Sequence, residues 1–160
     1  MKIQEITNIL EKQMLMSLGT YGNKYPDNSI VCFAYNDKAE LFFGSYSDTL
    51  KCKNIRDNKV VAITIGTLQI HGEAKIVPYG TDEYFKGRQI YDSRFPQYKE
   101  MFEQENNELY IIKPYVIWNY NPSKGGEMYR DSLVLNQKYI EEIDIYKPHK
   151  YKPRQKSSSY

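Results

Sequence analysis

Hydroxyl and cationic side chains gather near the start of a short predicted helix in the first half of the chain. Ser45, Ser47 and Thr49 precede Lys51 within the segment LFFGSYSDTLKCKNIRDNKVVAITI, residues 41–65. Hydroxyl groups, an ammonium group and the unpaired N–H groups of a helix start are donors that bind a phosphate. The pattern therefore indicates an anion site. The alternative is a capped surface helix with solvated lysines, because the same residue types crowd ordinary helix starts.

The segments around this cluster predict strand, turn, helix and strand in that order. Residues 41–44 alternate toward a buried face, and residues 60–65 form a β-branched run, which is typical of strands. The side-chain oxygens of residues 45–49 are good helix N-caps, so a helix is expected from about residue 49 to residue 56. The cluster would then lie at the corner between a strand and a helix.

Elsewhere the pattern predicts an antiparallel meander of strands with helices at its periphery. Short β-prone runs alternate with turn signals such as Gly22-Asn23, and closely spaced strands of this kind pair with their neighbours. The further predicted strands cover residues 14–21, 29–35, 68–77, 109–120 and part of 128–135, and the further predicted helices cover three turns from residue 3 to residue 14, residues 81–91 and residues 97–103. Residues 139–146 fit either a helix or a strand.

Several residues predict local irregularities in these elements. Residues 26–28 read as a break before the second strand. Gly72 predicts a bulge or a close backbone approach, and Pro114 predicts an edge strand, a bulge or two successive strands. The helix over residues 97–103 is expected to bury Tyr98, Met101 and Phe102.

Composition limits the classes of function. The 160 residues carry a net charge of +2 and 41% hydrophobic residues, so one domain with a real core is expected. The near-neutral charge disfavours nucleic acid as a partner. No apolar run approaches the roughly 20 residues that span a bilayer, and residues 1–12 are not an apolar signal sequence. Cys32 and Cys52 are expected to be packing residues in a reducing compartment, so a cytoplasmic location is predicted.

The histidine content argues against a metal site. His71 and His149 are the two histidines of the chain, and they do not form a clustered His/Cys ligand motif. Metal-dependent hydrolysis is therefore disfavoured, and His71 is expected to be structural or exposed on its strand.

The C-terminal residues differ in composition from the rest of the chain. Residues 147–160 are basic and polar and end in KSSSY. A tail of this kind is expected to be disordered, which leaves residues 1–146 as the folded domain. Binding of nucleic acid or of an acidic partner is the alternative, since clustered Lys and Arg attract phosphates.

The central segment resembles the phosphate-binding segment of the pyridoxamine 5′-phosphate oxidase-like flavoproteins, which are FMN-binding split β-barrels. The resemblance is carried by Gly44-Ser45, Thr49-Leu50-Lys51, Asn54-Ile55, Asn58 and the Val-rich strand after them, and it extends over residues 14–77. The passage YDSRFP, residues 91–96, resembles a branch of small, poorly characterised bacterial members. The resemblance implies a mainly β fold, an antiparallel split β-barrel of Greek-key type with N-terminal and peripheral helices.

The resemblance also implies a cofactor and its site. The FMN phosphate would lie against the helix start, held by Thr49 and Lys51 with Ser45 or Ser47 assisting. Lys51 and Lys53 are about 200° apart around a helix, so they do not easily serve one phosphate together. Backbone groups of the second strand would meet the isoalloxazine ring. The cofactor-binding residues implied in this way are Ser29, Ile30, Val31, Gly44, Ser45, Thr49, Leu50 and Lys51.

The activity implied is that of an FMN-dependent oxidoreductase acting on an unidentified small molecule, with FMN at a homodimer interface. Leu50 stands where many relatives keep an arginine, which implies moderate FMN affinity. The Arg- and His-containing substrate motif of true pyridoxamine phosphate oxidases has no counterpart after Trp118, so oxidation of vitamin B6 is disfavoured. Arg94 is expected to make a structural bond, and Trp118 to pack in the core rather than cover a flavin.

Other functions fit the same predicted fold. A haem-binding protein would need His71 or His149 as the iron ligand. A regulatory barrel would bind flavin as a sensor or not at all. A nucleic-acid-binding barrel would use the basic tail and the tyrosines as stacking surfaces.

Overall fold

The computed structural model describes residues 1–121 and 130–143 of the chain. Within these residues there are eight strands, four α-helices and one 3-10 helix. The strands are β1 (Leu15–Tyr21), β2 (Pro26–Cys32), β3 (Ala34–Tyr35), β4 (Leu41–Tyr46), β5 (Val60–Ile65), β6 (Leu68–Ile76), β7 (Asn107–Tyr120) and β8 (Arg130–Val134). The helices are α1 (Ile3–Glu11), α2 (Leu50–Asp57), α3 (Asp82–Arg94), the 3-10 helix (Pro96–Glu103) and α4 (Gln137–Ile143). The predicted tail, residues 147–160, lies outside the described residues.

The strands form one antiparallel sheet that curls into a half-barrel. Its order is β2-β1-β5-β6-β7-β4-β3, and β8 pairs with the second half of β7. β2 and β3 are the two ends of this order, yet Phe33 alone separates them along the chain. The two ends must therefore approach each other, and the sheet cannot stay flat. The predicted split β-barrel with peripheral helices is confirmed.

Apolar side chains pack on both faces of the sheet. Inside the half-barrel, α1 buries Ile6 and Leu10 and α2 buries Ile55 against the strands. On the outer face, α3 and the 3-10 helix bury Tyr91 and Phe102 against β4 and β7. Each large apolar side chain buried in this way stabilises the fold by about 1.5–3 kcal/mol.

Two predicted strand boundaries are wrong. The break expected at residues 26–28 is the start of β2, because proline is tolerated as the first residue of an edge strand. The single strand expected over residues 29–35 is divided into β2 and β3 at Phe33, whose ring is fully buried. The alternation of residue types along the segment does not reveal this break. The position of the break depends on which face of the sheet buries the Phe33 ring, and only the folded sheet determines that face.

The helices also differ in detail from the prediction. α1 ends at Glu11, so Met14 lies beyond the helix and is 50% exposed. The helix near residue 97 is a 3-10 helix, which turns through about 120° per residue instead of 100°. Phe102 is therefore buried while Tyr98, four residues earlier, is rotated away and stays 42% exposed. The undecided segment after residue 139 is helical as far as it is described, in α4.

A bulge in β7 accommodates Pro114. His71 pairs with Val116 and Gly72 pairs with Pro114, so Tyr115 has no partner opposite it. β7 is thus one central strand with a bulge, which is one of the three predicted alternatives. Gly72 lies against β7 so closely that a Cβ there would be 2.5 Å from the Lys113 carbonyl oxygen. The close approach predicted from this glycine is confirmed.

The remaining expectations concern cysteines and membranes. Cys32 and Cys52 are both free thiols, partly buried and buried respectively, as expected for packing residues. In the two described stretches of chain, no helix is both long enough and apolar enough to cross a membrane.

Substituting Gly72 should test the β6–β7 contact. Gly72→Ala places a methyl group against backbone that cannot easily move, so the free energy of unfolding should fall by about 1–3 kcal/mol in urea titrations. Gln69→Ala, on the same strand and partly exposed, should change it by less than about 0.5 kcal/mol. Equal stability of the two variants would contradict the close approach.

Candidate cofactor site

The site begins at the corner between β4 and α2. Thr49 is the N-cap of α2 and has extended backbone angles, so the helix begins where it is predicted, but the expected capping by the Thr49 side chain is wrong. Its side chain does not cap the helix; the Thr49 Oγ1 instead donates to the Tyr46 carbonyl oxygen at 2.9 Å. The backbone N–H groups at the start of α2 are therefore left without a side-chain cap, and such groups attract anions.

The hydroxyl groups expected at this corner do come together. Ser45 Oγ lies 3.2 Å from Thr49 Oγ1, and Ser45 is 6% exposed. Ser47 contributes through its backbone: its N–H donates to the Asn106 carbonyl oxygen at 2.8 Å, and its carbonyl oxygen accepts from Arg56 Nη2 at 2.5 Å. The loop before α2 is thus fixed from both sides, which holds the two hydroxyl groups in place.

Lys51 lies on the inward side of α2. At 100° per residue it shares a side of the helix with Asn54 and Ile55, both of which are buried, while Lys53 is exposed on another side. Lys51 is partly buried, and in the part of the chain that the structure describes its ammonium group makes no ion pair or hydrogen bond. A partly buried cation of this kind is suited to an anionic ligand.

Asn54 fastens α2 to the hairpin of β1 and β2. Its buried side-chain amide donates to Thr20 Oγ1 at 3.2 Å and to the Tyr25 carbonyl oxygen at 3.0 Å. Gly22 allows the contact, since a Cβ there would lie 2.8 Å from Asn54 Oδ1. In the sequence, Asn54 is recognisable only as part of the motif that carries the family resemblance, and its contact with the hairpin was not predicted. Its role depends on residues about thirty positions away along the chain, which spacing does not reveal.

The predicted residues of β2 lie beside α2 at the edge of the sheet. The side chains of Ser29 and Val31 are partly buried, whereas Ile30 points to the opposite face and is 66% exposed. Ser29 Oγ donates to Asp27 Oδ2 at 2.6 Å, so its hydroxyl already has a local acceptor. Within the described sheet β2 pairs with β1 alone, which leaves backbone groups on its other edge available to a ligand.

Gly44 and Leu50 complete the set of predicted residues. Gly44 lies beneath the 3-10 helix, and a Cβ there would be 2.4 Å from Phe102 Cζ. Packing against Phe102 therefore explains why this position has no side chain. Leu50 is 41% exposed at the first position of α2. The corner thus brings the hydroxyl groups of Ser45 and Thr49 together at the start of α2, where Leu50 and Lys51 are the first two helical residues, and β2 lies next to α2.

Arg94 and Trp118 have structural roles, as predicted. Arg94 Nη2 donates to the carbonyl oxygens of Leu10 at 3.1 Å and Glu11 at 3.4 Å, so it satisfies the last carbonyl groups of α1. Trp118 is 3% exposed and meets the His71 ring edge to face at 5.0 Å.

A second polar cluster lies on the outer face of β6 and β7. His71 Nδ1 is 2.8 Å from the Tyr139 hydroxyl, and burial lowers the pKa of His71. Glu73 contacts Lys75 Nζ at 2.5 Å, the Tyr115 hydroxyl at 2.7 Å and Lys59 Nζ at 2.9 Å. Lys75 and Tyr115, followed by Lys59, lower the pKa of Glu73 to about 2. Among the described residues, no group of three or more His, Cys, Asp or Glu could hold a metal ion.

A protein-family model described as pyridoxamine 5′-phosphate oxidase matches residues 3–123, which is more than half of the chain. The chain belongs to the pyridoxamine 5′-phosphate oxidase family. The resemblance predicted from residues 14–77 is thereby confirmed. A search of the curated proteins found no match to this sequence.

Solved structures of this family's fold resemble the chain at low sequence identity. General Stress Protein 26 from Bacillus anthracis is 21% identical over 83% of this chain and 98% of that one, with a TM-score of 0.60. An FAD-binding protein from Mesorhizobium loti is 14% identical over 73% and 90%, with a TM-score of 0.60. A haem-binding protein from Mycobacterium smegmatis is 13% identical over 82% and 57%, with a TM-score of 0.68. These likenesses show the fold.

The corner of this pyridoxamine 5′-phosphate oxidase family member fits a phosphate group by its own chemistry. It offers uncapped backbone N–H groups, the hydroxyl groups of Ser45 and Thr49, and the ammonium group of Lys51, which has no partner among the described residues. All of these are donors, and one carries a positive charge, so together they match an acceptor with negative charge. The assignment of the individual residues to a flavin stays a prediction.

The Glu73 cluster should make stability depend on pH in acid. The folded pKa of about 2 lies below the ordinary value of 4.5, so the ion pairs stabilise the fold above pH 4.5 and are lost as the pH falls toward 2. Glu73→Gln removes both ion pairs and should lower the free energy of unfolding at pH 7 by roughly 1–2 kcal/mol. The loss is no larger than this because both lysines are half exposed, so solvent screens the ion pairs.

Urea titrations at pH 7, 4 and 2 would measure this effect. The difference between Glu73→Gln and the unmodified protein should shrink to a small remainder at pH 2, where about half of the Glu73 side chains in the folded protein carry a proton. The exposed Glu100→Gln serves as the control, with little difference at any pH. A Glu73→Gln deficit that persists undiminished at pH 2 would show that the ion pairs are not its cause.

Proposed function

We propose that this protein is an FMN-binding flavoprotein, and an oxidoreductase for a small molecule. The observation that carries the proposal is the uncapped start of α2 beside the partly buried Lys51, whose ammonium group is unpaired within residues 1–121 and 130–143. Membership of a family described as an oxidase supports it, as does a structural neighbour that binds FAD. Oxidation of pyridoxamine phosphate is not proposed, because the substrate motif has no counterpart after Trp118.

Each part of the corner has a defined task in this proposal. The N–H groups at the start of α2 bind the phosphate with Lys51, and the Ser45 and Thr49 hydroxyl groups orient it. The free edge of β2 over Ser29, Ile30 and Val31 offers backbone groups to the ring. When bound, the flavin supplies hydride transfer, so no nucleophilic side chain is required. Leu50 contributes no charge, and the phosphate therefore depends on Lys51.

We also propose a homodimer that uses the outer face of β1, β2 and β5. The ladder pairs place Ser17, Ile30 and Thr64 on this face, and Gly19 lies next to Ala62 on it. Every side chain that these three strands project outward is uncharged, although 26% of the chain is charged. Depletion of charge is a property of interface centres, and an uncharged face can meet its own copy without repulsion.

Haem binding is the second candidate. Among the described residues His71 is the one imidazole, and its Nδ1 lies 2.8 Å from the Tyr139 hydroxyl. A hydrogen bond at one ring nitrogen is also how proteins orient metal-binding histidines. The haem-binding neighbour from Mycobacterium smegmatis makes this candidate worth testing. A Soret band in the purified protein would favour haem, and a flavin spectrum would favour the leading proposal.

Lys51→Ala should test the phosphate site. The unmodified protein should purify yellow or bind added FMN stoichiometrically. Loss of a charge-assisted contact should weaken FMN binding about ten- to hundred-fold in a fluorescence titration. Lys53→Ala is the matched control, since Lys53 is exposed on another side of α2, and its affinity should stay within about two-fold of the original. Unchanged affinity in Lys51→Ala would remove Lys51 from the phosphate site.

Ala62→Arg should test the proposed interface. A second copy seated on this uncharged face would meet buried guanidinium groups there, so the variant should run as a monomer in light scattering. Gln89→Arg adds the same group on an exposed position of α3 and should leave the dimer intact. A dimer in both variants would place the interface elsewhere.

A further inference from the structure

Glu108 places a carboxylate beside the phosphate corner. It is the ladder partner of Ser45, and directly opposed residues of an antiparallel pair share a face with Cβ atoms about 5 Å apart. The Ser45 hydroxyl in turn lies 3.2 Å from that of Thr49, the N-cap of α2. Charges separated by less than about 8 Å are only partly screened by salt. A carboxylate here opposes the binding of any anion at the helix start.

Glu108 is fixed in this position by the residues around it. Its Oε2 accepts a hydrogen bond from the hydroxyl of Tyr110, which is 1% exposed. The side chain of Glu108 is itself only 21% exposed. The carboxylate is therefore held beside the corner by these contacts.

Arg56 counters this charge and contacts the same loop. Its Nη1 lies 3.5 Å from Glu108 Oε2, and its Nη2 donates to the Ser47 carbonyl oxygen at 2.5 Å. Arg56 belongs to the last turn of α2, yet its guanidinium group reaches back to the loop that precedes the helix. A positive charge is thus placed beside the corner by a residue far from the helix start in sequence.

We propose that Arg56 and Glu108 together set the affinity of the corner for phosphate, Glu108 weakening it and Arg56 restoring it. The inference rests on the proposed FMN site. The pair is jointly neutral, so while both members are present it leaves the net charge of the corner unchanged. Removing one member of the pair leaves the other uncompensated. The two removals must then change the affinity in opposite directions.

Glu108→Gln and Arg56→Gln test this directly, with FMN and riboflavin as probes in fluorescence titrations at low salt. Glu108→Gln keeps the volume of the side chain and an acceptor for Tyr110, and it should tighten FMN binding about three- to ten-fold. Arg56→Gln should weaken FMN binding by a similar factor. Riboflavin has no phosphate, so its affinity should stay the same in both variants. Both FMN effects should shrink at high salt.

Arg56→Lys separates charge from geometry. It keeps the positive charge and should bind FMN within about two-fold of the unmodified protein. This variant and Glu108→Gln still test the inference if Arg56→Gln does not fold. Variants that bind FMN unchanged, that shift its affinity in the same direction, or that shift riboflavin equally would overturn the inference and leave the FMN site standing. An unmodified protein that binds no FMN would overturn the proposed function as well.

Discussion

The whole structure depends on one constraint of connectivity, which is that the two ends of the sheet are joined through a single residue. β2 lies at one end of the strand order and β3 at the other, and Phe33 is the sole residue between them. A flat sheet of seven strands would hold its ends tens of ångströms apart, since neighbouring strands are about 4.8 Å apart. The sheet must curl, and the curl creates the interior in which Phe33 is buried.

The curl also explains why the candidate site lies where it does. The curl brings β3 close to the edge strand β2, and β4 pairs with β3. The last residues of β4 and the start of α2, which follows β4 in the chain, therefore lie near β2. The Asn54 amide then fixes α2 to the β1–β2 hairpin through Thr20 and Tyr25. A buried amide with these acceptors is costly to leave unpaired, so α2 is held in one position. Lys51 is thereby kept on the side of α2 that faces inward.

Local chemistry could be predicted from the sequence, whereas pairing over long distances could not. β5 and the close approach at Gly72 follow from residue types and spacing, and the structure confirms both. The start of α2 also follows from the residue types, although the Thr49 side chain does not cap the helix as expected. The contact of Arg56 with Glu108 joins residues 52 positions apart. No periodic pattern encodes it, because it depends on the register of β4 against β7. The break at Phe33 also escaped prediction, because the side of the sheet on which its ring is buried depends on the curl of the whole sheet.

β2 links the two halves of the functional proposal. Its alternate residues face opposite sides of the sheet, so Ile30 lies on the uncharged outer face while Ser29 and Val31 face the side where α2 packs. A second copy seated on the outer face would immobilise this edge strand, whose free backbone groups are those proposed to meet the flavin ring. If either the second copy or the flavin orders β2, the other binds at a lower cost in conformational entropy. If both proposals hold, flavin binding and dimer formation would strengthen each other, and the coupling would act through the backbone of β2 rather than through any charged residue.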